Sequence, residues 1–130
     1  MYLRSITNFE KRKKILYFFT LLIFSISLNQ YYGYIGIFPE DSFIIFNSGY
    51  ETLNGYFPFK DYWTTTGPLL DFIQAIFFKI LGVSWFSYVL HASFFNFIII
   101  IATFYTLSKF ELNLNYCFLY ALLVSVLAYP

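Results

Sequence analysis

The sequence predicts an all-α integral membrane protein with about three transmembrane helices and two juxtamembrane helices in the first outer loop. Hydrophobic residues make up 59% of the 130 residues and charged residues only 12%, about half the charged fraction of a typical globular domain. So few charged side chains could not cover the surface of a soluble domain. The apolar residues are also gathered into long uncharged runs, as membrane-spanning helices require.

The composition excludes several other classes of protein. Disordered chains combine low hydrophobicity with high net charge, whereas this chain is apolar and has a formal net charge of +1. The same small charge predicts no nucleic-acid partner. Cys117 is the only cysteine, so neither an internal disulfide nor a cysteine metal cluster is expected.

The first transmembrane helix is predicted at residues 15–34. No charged side chain occurs between Ile15 and Pro39, and a span needs roughly 20 mostly apolar residues. No small-residue cleavage pattern follows the apolar run, which argues against a cleaved signal peptide. Residues 1–14 carry five basic side chains and one acidic one, so this basic N-terminus is predicted to lie in the cytoplasm, inside the plasma membrane.

Two more transmembrane helices are predicted at residues 84–108 and 112–130. Only Lys109 and Glu111 interrupt the apolar sequence that begins at Ile80, which indicates a short hairpin turn between two helices. Because the chain is still apolar at its end, we expect the last helix to be cut short and the chain to be a fragment of a longer protein.

The segment 35–82 is predicted to form an outer loop at the membrane surface. The stretch from Gly33 to Gly82 holds all six glycines and three of the four prolines. Irregular backbone needs water or protein cover rather than hydrocarbon. Within this loop, the aromatic turn 57–63 has a composition suited to the headgroup layer.

Two amphipathic juxtamembrane helices are predicted in the outer loop, at residues 41–54 and 68–81. The first follows a proline and a run of capping residues, and its aromatic residues recur at helical spacing. The second opens at Gly67-Pro68 and ends at Gly82. One arc of the second helix carries Asp71, Gln74, Ala75, Phe78 and Lys79. Its 14 residues and two charges make it a poor membrane span.

The order of these parts resembles the N-terminal portion of GT-C type membrane glycosyltransferases. The similar subgroup is the RgtA/B/C/D-like, protein-mannosyltransferase-like and aminoarabinose-transferase-like enzymes. They share an acidic pair, a Gly-x-x-Pro-aromatic-basic-Asp-aromatic-Trp run, a Gly-Pro-Leu helix start and a Phe-x-Lys-x-x-Gly end. The matching segments here are 41–45, 55–63, 67–70 and 77–82.

The resemblance implies transfer of a sugar from a polyprenyl-phosphate-linked donor to an acceptor at the outer membrane face. Asp41 stands at the family's acidic site and would accept the proton of the attacking hydroxyl. Capping of the first juxtamembrane helix is the structural alternative for Asp41 and is compatible with that role. Ser42 stands where the family places a glutamate, so Glu40 is the candidate second catalytic acid. The donor and membrane lipid are the expected partners.

Four further residues are candidates for substrate binding: Lys60, Asp61, Lys79 and His91. Lys60 and Lys79 are the basic side chains of the outer loop, suited to the charge that develops on a departing phosphate. His91 is a polar group at membrane depth. Structural roles are the alternatives: local pairing for Lys60 and Asp61, headgroup contact for Lys79 and interface contact for His91. No protein metal site is predicted, and a possible divalent metal cofactor is left open.

Two functional interpretations remain open at the level of the sequence. As part of a transferase, 130 residues cannot hold the whole active site, so the chain alone is expected to be inactive. The alternative is a small four-helix membrane protein that is not an enzyme. It would resemble the GtrA-like proteins of lipid-linked sugar translocation, or serve as an accessory subunit. That alternative requires residues 68–81 to cross the bilayer.

Overall fold

The computed structural model describes the backbone of residues 2–35, 39–110 and 112–128, and the side chains of residues 10–35, 42–110 and 112–128. Over the described residues the protein is all-α, 80% helical and without strands, which confirms the predicted fold class at this level. The five helices are α1 (Tyr2–Ile35), α2 (Pro39–Leu53), α3 (Pro68–Leu81), α4 (Trp85–Ser108) and α5 (Leu114–Leu127).

Two of these helices are long and apolar enough to cross a membrane, namely the part of α1 over Glu10–Ile35 and the whole of α4. The third apolar helix, α5, has 14 residues, about 21 Å at 1.5 Å per residue, against a hydrocarbon core of about 30 Å. The predicted third span, 112–130, includes two residues outside the described part of the chain. The division into three spans and two juxtamembrane helices stays a prediction.

Local sequence signals explain where the helices begin and end. In α3, Pro68 occupies the first turn, and Gly82 follows with φ 83°, a left-handed conformation that glycine adopts without steric cost. In α5, the side chain of Asn113 accepts a hydrogen bond from the backbone N–H of Asn115 at 2.9 Å, as helix-capping residues do. The helix α1 begins at Tyr2, so the basic N-terminal segment is helical as well.

The chain forms two compact units, each of which is described separately. The first unit consists of Met1–Leu28 and Ser93–Pro130, and the second of Asn29–Ala92. The apolar core of the first unit contains side chains from α1, α4 and α5. These are Leu21, Ile100, Phe104, Cys117 and Ala121.

A polar cluster of Ser25, Asn96 and Ser125 also lies inside the first unit. The side-chain oxygen of Asn96 accepts hydrogen bonds from the hydroxyls of Ser25 at 3.0 Å and Ser125 at 2.7 Å. Its amide donates to the backbone oxygen of Ser125 at 3.0 Å. All three side chains are buried, so this cluster links α1, α4 and α5 through satisfied hydrogen bonds.

In the second unit, α2 and α3 pack against each other. Beside them, four aromatic rings come together: Phe46, Phe78, Trp85 and Tyr88, with centroid separations of 4.9 to 6.4 Å. The indole of Trp85 donates to the backbone oxygen of Gly33 at 2.9 Å, which ties the end of α1 to the start of α4. These contacts fix the surroundings of the candidate site.

Candidate functional site

The helix α3 buries its polar residues and exposes its apolar ones. Asp71, Gln74, Ala75 and Phe78 are buried, whereas Leu69, Phe72, Ile76 and Ile80 are exposed. These four buried residues belong to the arc that was predicted from the sequence. The fifth residue of that arc, Lys79, is exposed. This orientation brings a carboxyl and an amide side chain into the interior of the second unit.

The centre of the buried polar site is the hydroxyl of Tyr62. It lies 2.9 Å from Oδ2 of Asp71, 2.7 Å from Oγ1 of Thr52 and 3.1 Å from the backbone oxygen of Ser48. Ser48 and Thr52 are one turn apart on α2, and Asp71 is on α3. Tyr62 therefore links the loop between the two helices to both of them.

The number of hydrogens on each group determines which group donates and which accepts in the hydrogen bonds of Tyr62. A phenol has one hydrogen, whereas the carboxylate of Asp71 and the carbonyl of Ser48 can only accept. Tyr62 therefore donates its hydrogen to Asp71, and the carbonyl of Ser48 is a competing acceptor. The hydroxyl of Thr52 donates its own hydrogen to the phenol oxygen of Tyr62. Burial raises the pKa of Tyr62, and Asp71 raises it further, while the bond from Thr52 acts in the opposite direction.

Asp71 lies in an environment that offers little compensation for a negative charge. Its side chain is 0% exposed, and Oδ1 has no hydrogen-bond partner among the described residues. The ion pair found in the described part of the chain joins Lys60 to Asp61 instead. Because burying an unpaired charge costs much free energy, the hydrogen bond from Tyr62 is a principal interaction that stabilises this carboxyl group.

Gln74 lies one turn beyond Asp71 on the same face of α3. It is 0% exposed, and neither its amide nitrogen nor its amide oxygen has a partner among the described residues. Its aliphatic part packs directly on Gly49 of α2, where an added Cβ would overlap Cγ of Gln74. Glycine at this position is what allows the two helices to approach so closely.

Of the predicted substrate-binding residues, Lys60 and Asp61 lie next to each other in the loop. Their charged groups are 4.0 Å apart, and the Lys60 side chain is 77% exposed. Oδ2 of Asp61 accepts a hydrogen bond from the backbone N–H of Phe57 at 2.8 Å. Asp61 thus closes the turn, as the structural alternative expected, while binding of substrate by either residue stays a prediction.

The other two predicted substrate-binding residues lie in different surroundings. Lys79 is exposed in the last turn of α3. His91 is 5% exposed, and its ring lies 5.7 Å from that of Phe77. Both interpretations of His91, contact with substrate and contact with the membrane interface, stay predictions.

The predicted catalytic residues Asp41 and Glu40 lie within the backbone of α2, but their side chains fall outside the described part of the chain. Among the described residues, no group of three or more His, Cys, Asp and Glu side chains could hold a metal ion.

Comparisons with known proteins give no further guidance to this site. No known family model matches the chain, and neither a curated protein nor a solved structure shows significant similarity to it. The resemblance to membrane glycosyltransferases thus rests on the sequence motifs alone.

Sequence reasoning placed Asp71 and Gln74 on one arc of α3 but did not select them, or Tyr62, as site residues. The signal was present in the pattern, because the two polar side chains are three residues apart in an otherwise apolar helix. The direction in which this arc faces depends on α2, whose small Gly49 accepts the side chain of Gln74. That pairing cannot be deduced from α3 by itself.

Proposed function

We propose that the chain is part of a membrane-integrated glycosyltransferase of the GT-C type that uses a polyprenyl-phosphate-linked sugar. The sequence motifs of residues 41–82 carry the proposal, and the buried Asp71–Tyr62 pair supports it because it holds α2, α3 and their connecting loop together. These elements lie in sequence between the two helices that are long enough to span a bilayer. They include every motif by which the sequence resembles the family.

A membrane location is supported by the distribution of polar and apolar side chains. Among the described residues, more of the buried side chains are polar than apolar, and many large apolar side chains are exposed. This pattern is the reverse of that expected in water, where hydrophobic burial drives folding. In lipid, small and polar side chains at helix contacts stabilise the packing instead. We propose a plasma-membrane location with the basic N-terminus in the cytoplasm.

In the proposed reaction, the oxygen of an acceptor hydroxyl attacks the anomeric carbon of the donor sugar. The carboxylate of Asp41 accepts the hydroxyl proton, with Glu40 as the second acid. The bond from the anomeric carbon to the phosphate oxygen breaks, and its electron pair leaves with the lipid phosphate. Lys60 and Lys79 would stabilise the negative charge on that phosphate. Asp61 and His91 are the remaining candidates for contact with the substrate.

The buried pair would serve this chemistry by fixing the loop. Tyr62 follows Lys60 and Asp61 directly, and its hydroxyl contacts α2 at Ser48 and Thr52. Asp41 precedes Ser48 by two helical turns, about 10 Å along the axis. A fixed Tyr62 would therefore hold the backbone at Lys60 in place relative to the helix that carries the proposed base, which favours a reaction that depends on orientation.

The four-helix, non-enzymatic alternative is less compatible with α3. This helix has 14 residues and carries the charged side chains of Asp71 and Lys79, which add to the cost of crossing the hydrocarbon core, whereas the equally short α5 carries none. For this reason we retain the transferase proposal over a GtrA-like translocation protein.

Donor binding can be tested by photocrosslinking. The full chain is reconstituted in vesicles with a radiolabelled, photoreactive polyprenyl-phosphate sugar. We expect label in the segment 56–82, competition by unlabelled polyprenyl phosphate, and a several-fold loss of label in a Lys60→Ala, Lys79→Ala double variant. Lys109→Ala, which removes an exposed lysine outside the loop, is the matched control. Label that resists competition and is equal in all variants would contradict donor binding at this loop.

A further inference from the structure

The exposed side of α3 forms a continuous apolar stripe. Leu69, Ile76 and Ile80 are 53 to 74% exposed, and Phe72 is 39% exposed. At 100° per residue these side chains lie roughly opposite the buried face that carries Asp71 and Gln74. A helix at the surface of a water-soluble protein would bury the apolar face and expose the polar face.

The stripe continues into the aromatic turn before α3. The rings of Phe57 and Phe72 are 5.7 Å apart, which joins the turn to the helix. Beyond Phe57, the rings of Phe59 and Trp63 form an edge-to-face pair at 5.4 Å. Trp63 is the most exposed of these aromatic residues, at 78%.

Backbone hydrogen bonds close the aromatic turn, and its rings are exposed. The backbone N–H of Phe59 donates to the backbone oxygen of Tyr62 at 2.8 Å. The backbone N–H of Asp61 donates to the backbone oxygen of Phe57 at 2.9 Å. Phe59 has φ 65°, a left-handed conformation that is unfavourable for a bulky residue. Such backbone strain persists only where the surroundings enforce it. The tip of the turn thus presents its large rings outward.

Two cations lie beside this apolar surface. Lys60 is at the tip of the turn, with its side chain 77% exposed. Lys79 is exposed on α3, at the edge of the stripe next to Phe72 on a helical projection. Aromatic rings flanked by lysines match the boundary of a bilayer, where rings lie among the headgroups and lysines reach lipid phosphates.

We propose that the stripe of α3 and the aromatic turn form one lipid-binding surface whose occupant is a bilayer rich in anionic phospholipid. The stripe contacts acyl chains, the rings of Phe59 and Trp63 lie in the headgroup layer, and Lys60 and Lys79 bind lipid phosphates. This proposal rests on the membrane location proposed above and uses the two lysines that the proposed reaction assigns to the donor phosphate, but its test contains no sugar donor. A chain that fails to transfer or bind sugar would leave it unchanged.

Tryptophan fluorescence gives a direct test, because the chain contains only Trp63 and Trp85. The full chain is reconstituted in vesicles of phosphatidylcholine and phosphatidylglycerol that carry bromine at a shallow or a deep acyl position. The difference in emission between the wild type and Trp63→Phe reports on Trp63. The substitution removes an exposed ring that the described hydrogen bonds do not involve, and circular dichroism checks the helix content.

We expect shallow bromine to remove most of the Trp63 emission, deep bromine to remove less, and aqueous iodide to have little effect. Quenching by iodide without quenching by brominated lipid would overturn the proposal. Loss of lipid quenching as the protein-to-lipid ratio rises would point to a second copy of the chain on this surface, and it would overturn the proposal as well.

The lipid charge is tested by placing the bromine on one phospholipid at a time. We expect brominated phosphatidylglycerol to quench Trp63 several-fold more effectively than brominated phosphatidylcholine, because a lysine near the membrane surface favours an anionic lipid by about fivefold and Lys60 is partly neutralised by Asp61. Lys60→Ala combined with Lys79→Ala should abolish the preference, whereas Lys109→Ala should retain it. Equal quenching by the two lipids in the wild type would overturn the assignment of an anionic lipid.

Discussion

The hydroxyl of Tyr62 donates a hydrogen bond to Oδ2 of Asp71 at 2.9 Å, and the same hydroxyl contacts two residues of α2. One side chain in the loop thus donates a hydrogen bond to a carboxyl group that is wholly buried on α3. Because the other carboxyl oxygen has no partner among the described residues, the stability of the second unit should depend strongly on this contact.

Replacement of Tyr62 by phenylalanine tests the contact with little change in shape. We expect Tyr62→Phe to lower the free energy of unfolding by about 1–3 kcal/mol, because a buried acceptor loses its donor. The measurement is equilibrium unfolding in mixed micelles followed by circular dichroism. Tyr56→Phe, which alters an exposed tyrosine in the same loop, is the control. Equal stability of the two variants would argue against an energetic role for the pair.

The pH dependence of stability provides a second test of Tyr62. Its pKa is raised by burial and by Asp71, above an ordinary value of about 10. As the pH rises through that ordinary value, the unfolded chain releases the proton while the folded chain retains it, so stability falls until the folded pKa is passed. Unfolding titrations between about pH 8 and pH 12 should show a steeper loss for the wild type than for Tyr62→Phe. Parallel curves would contradict the raised pKa.

Close packing of α2 on α3 can be tested at Gly49. Alanine ordinarily stabilises a helix relative to glycine by about 1 kcal/mol. Here the added methyl group would overlap Gln74, so we expect Gly49→Ala to destabilise the protein by about 1–3 kcal/mol. Gln74→Ala in the same chain should restore part of the loss. Asn47→Ala on the exposed side of α2 is the control, and a stabilising effect of Gly49→Ala would refute the close approach.

In the first unit, Asn96 should contribute to helix association through its side-chain hydrogen bonds. Asn96→Leu keeps a similar volume but leaves the buried hydroxyls of Ser25 and Ser125 without this acceptor. We expect a loss of about 1–3 kcal/mol in unfolding experiments in detergent. Thr103→Val removes a hydroxyl that bonds to a carbonyl of its own helix, and it should cost less. The interpretation fails if the two variants are equally stable.

The sequence predicted the helical class and the limits of α3 because the relevant signals are local. Pro68 and Gly82 set the ends of this helix through their backbone restrictions alone. The long uncharged runs likewise predict the two helices that could cross a membrane. Such features follow from composition and from short-range backbone chemistry.

The interior of the second unit was not predictable in the same way. Asp71 could equally be read as a solvated residue of an amphipathic helix, and Tyr62 as one more ring of an aromatic turn. Their association requires the loop to fold back between α2 and α3, which is a long-range arrangement. The spacing of apolar residues also did not show which face of α3 is buried, because amphipathic helices that face lipid and those that face water have the same period.

Sugar transfer is the measurement that tests the central claim most directly. The transferase of which this chain is proposed to be a part is produced from its own gene, and membranes that contain it receive a radiolabelled polyprenyl-phosphate sugar. The account predicts that Asp41→Asn lowers transfer by about 10²–10⁴-fold, because the attacking hydroxyl loses its base, while the protein remains in the membrane at wild-type abundance. Asn47→Ala, an exposed substitution on the same helix, should transfer at the wild-type rate. Transfer by Asp41→Asn at the wild-type rate would contradict the proposed function.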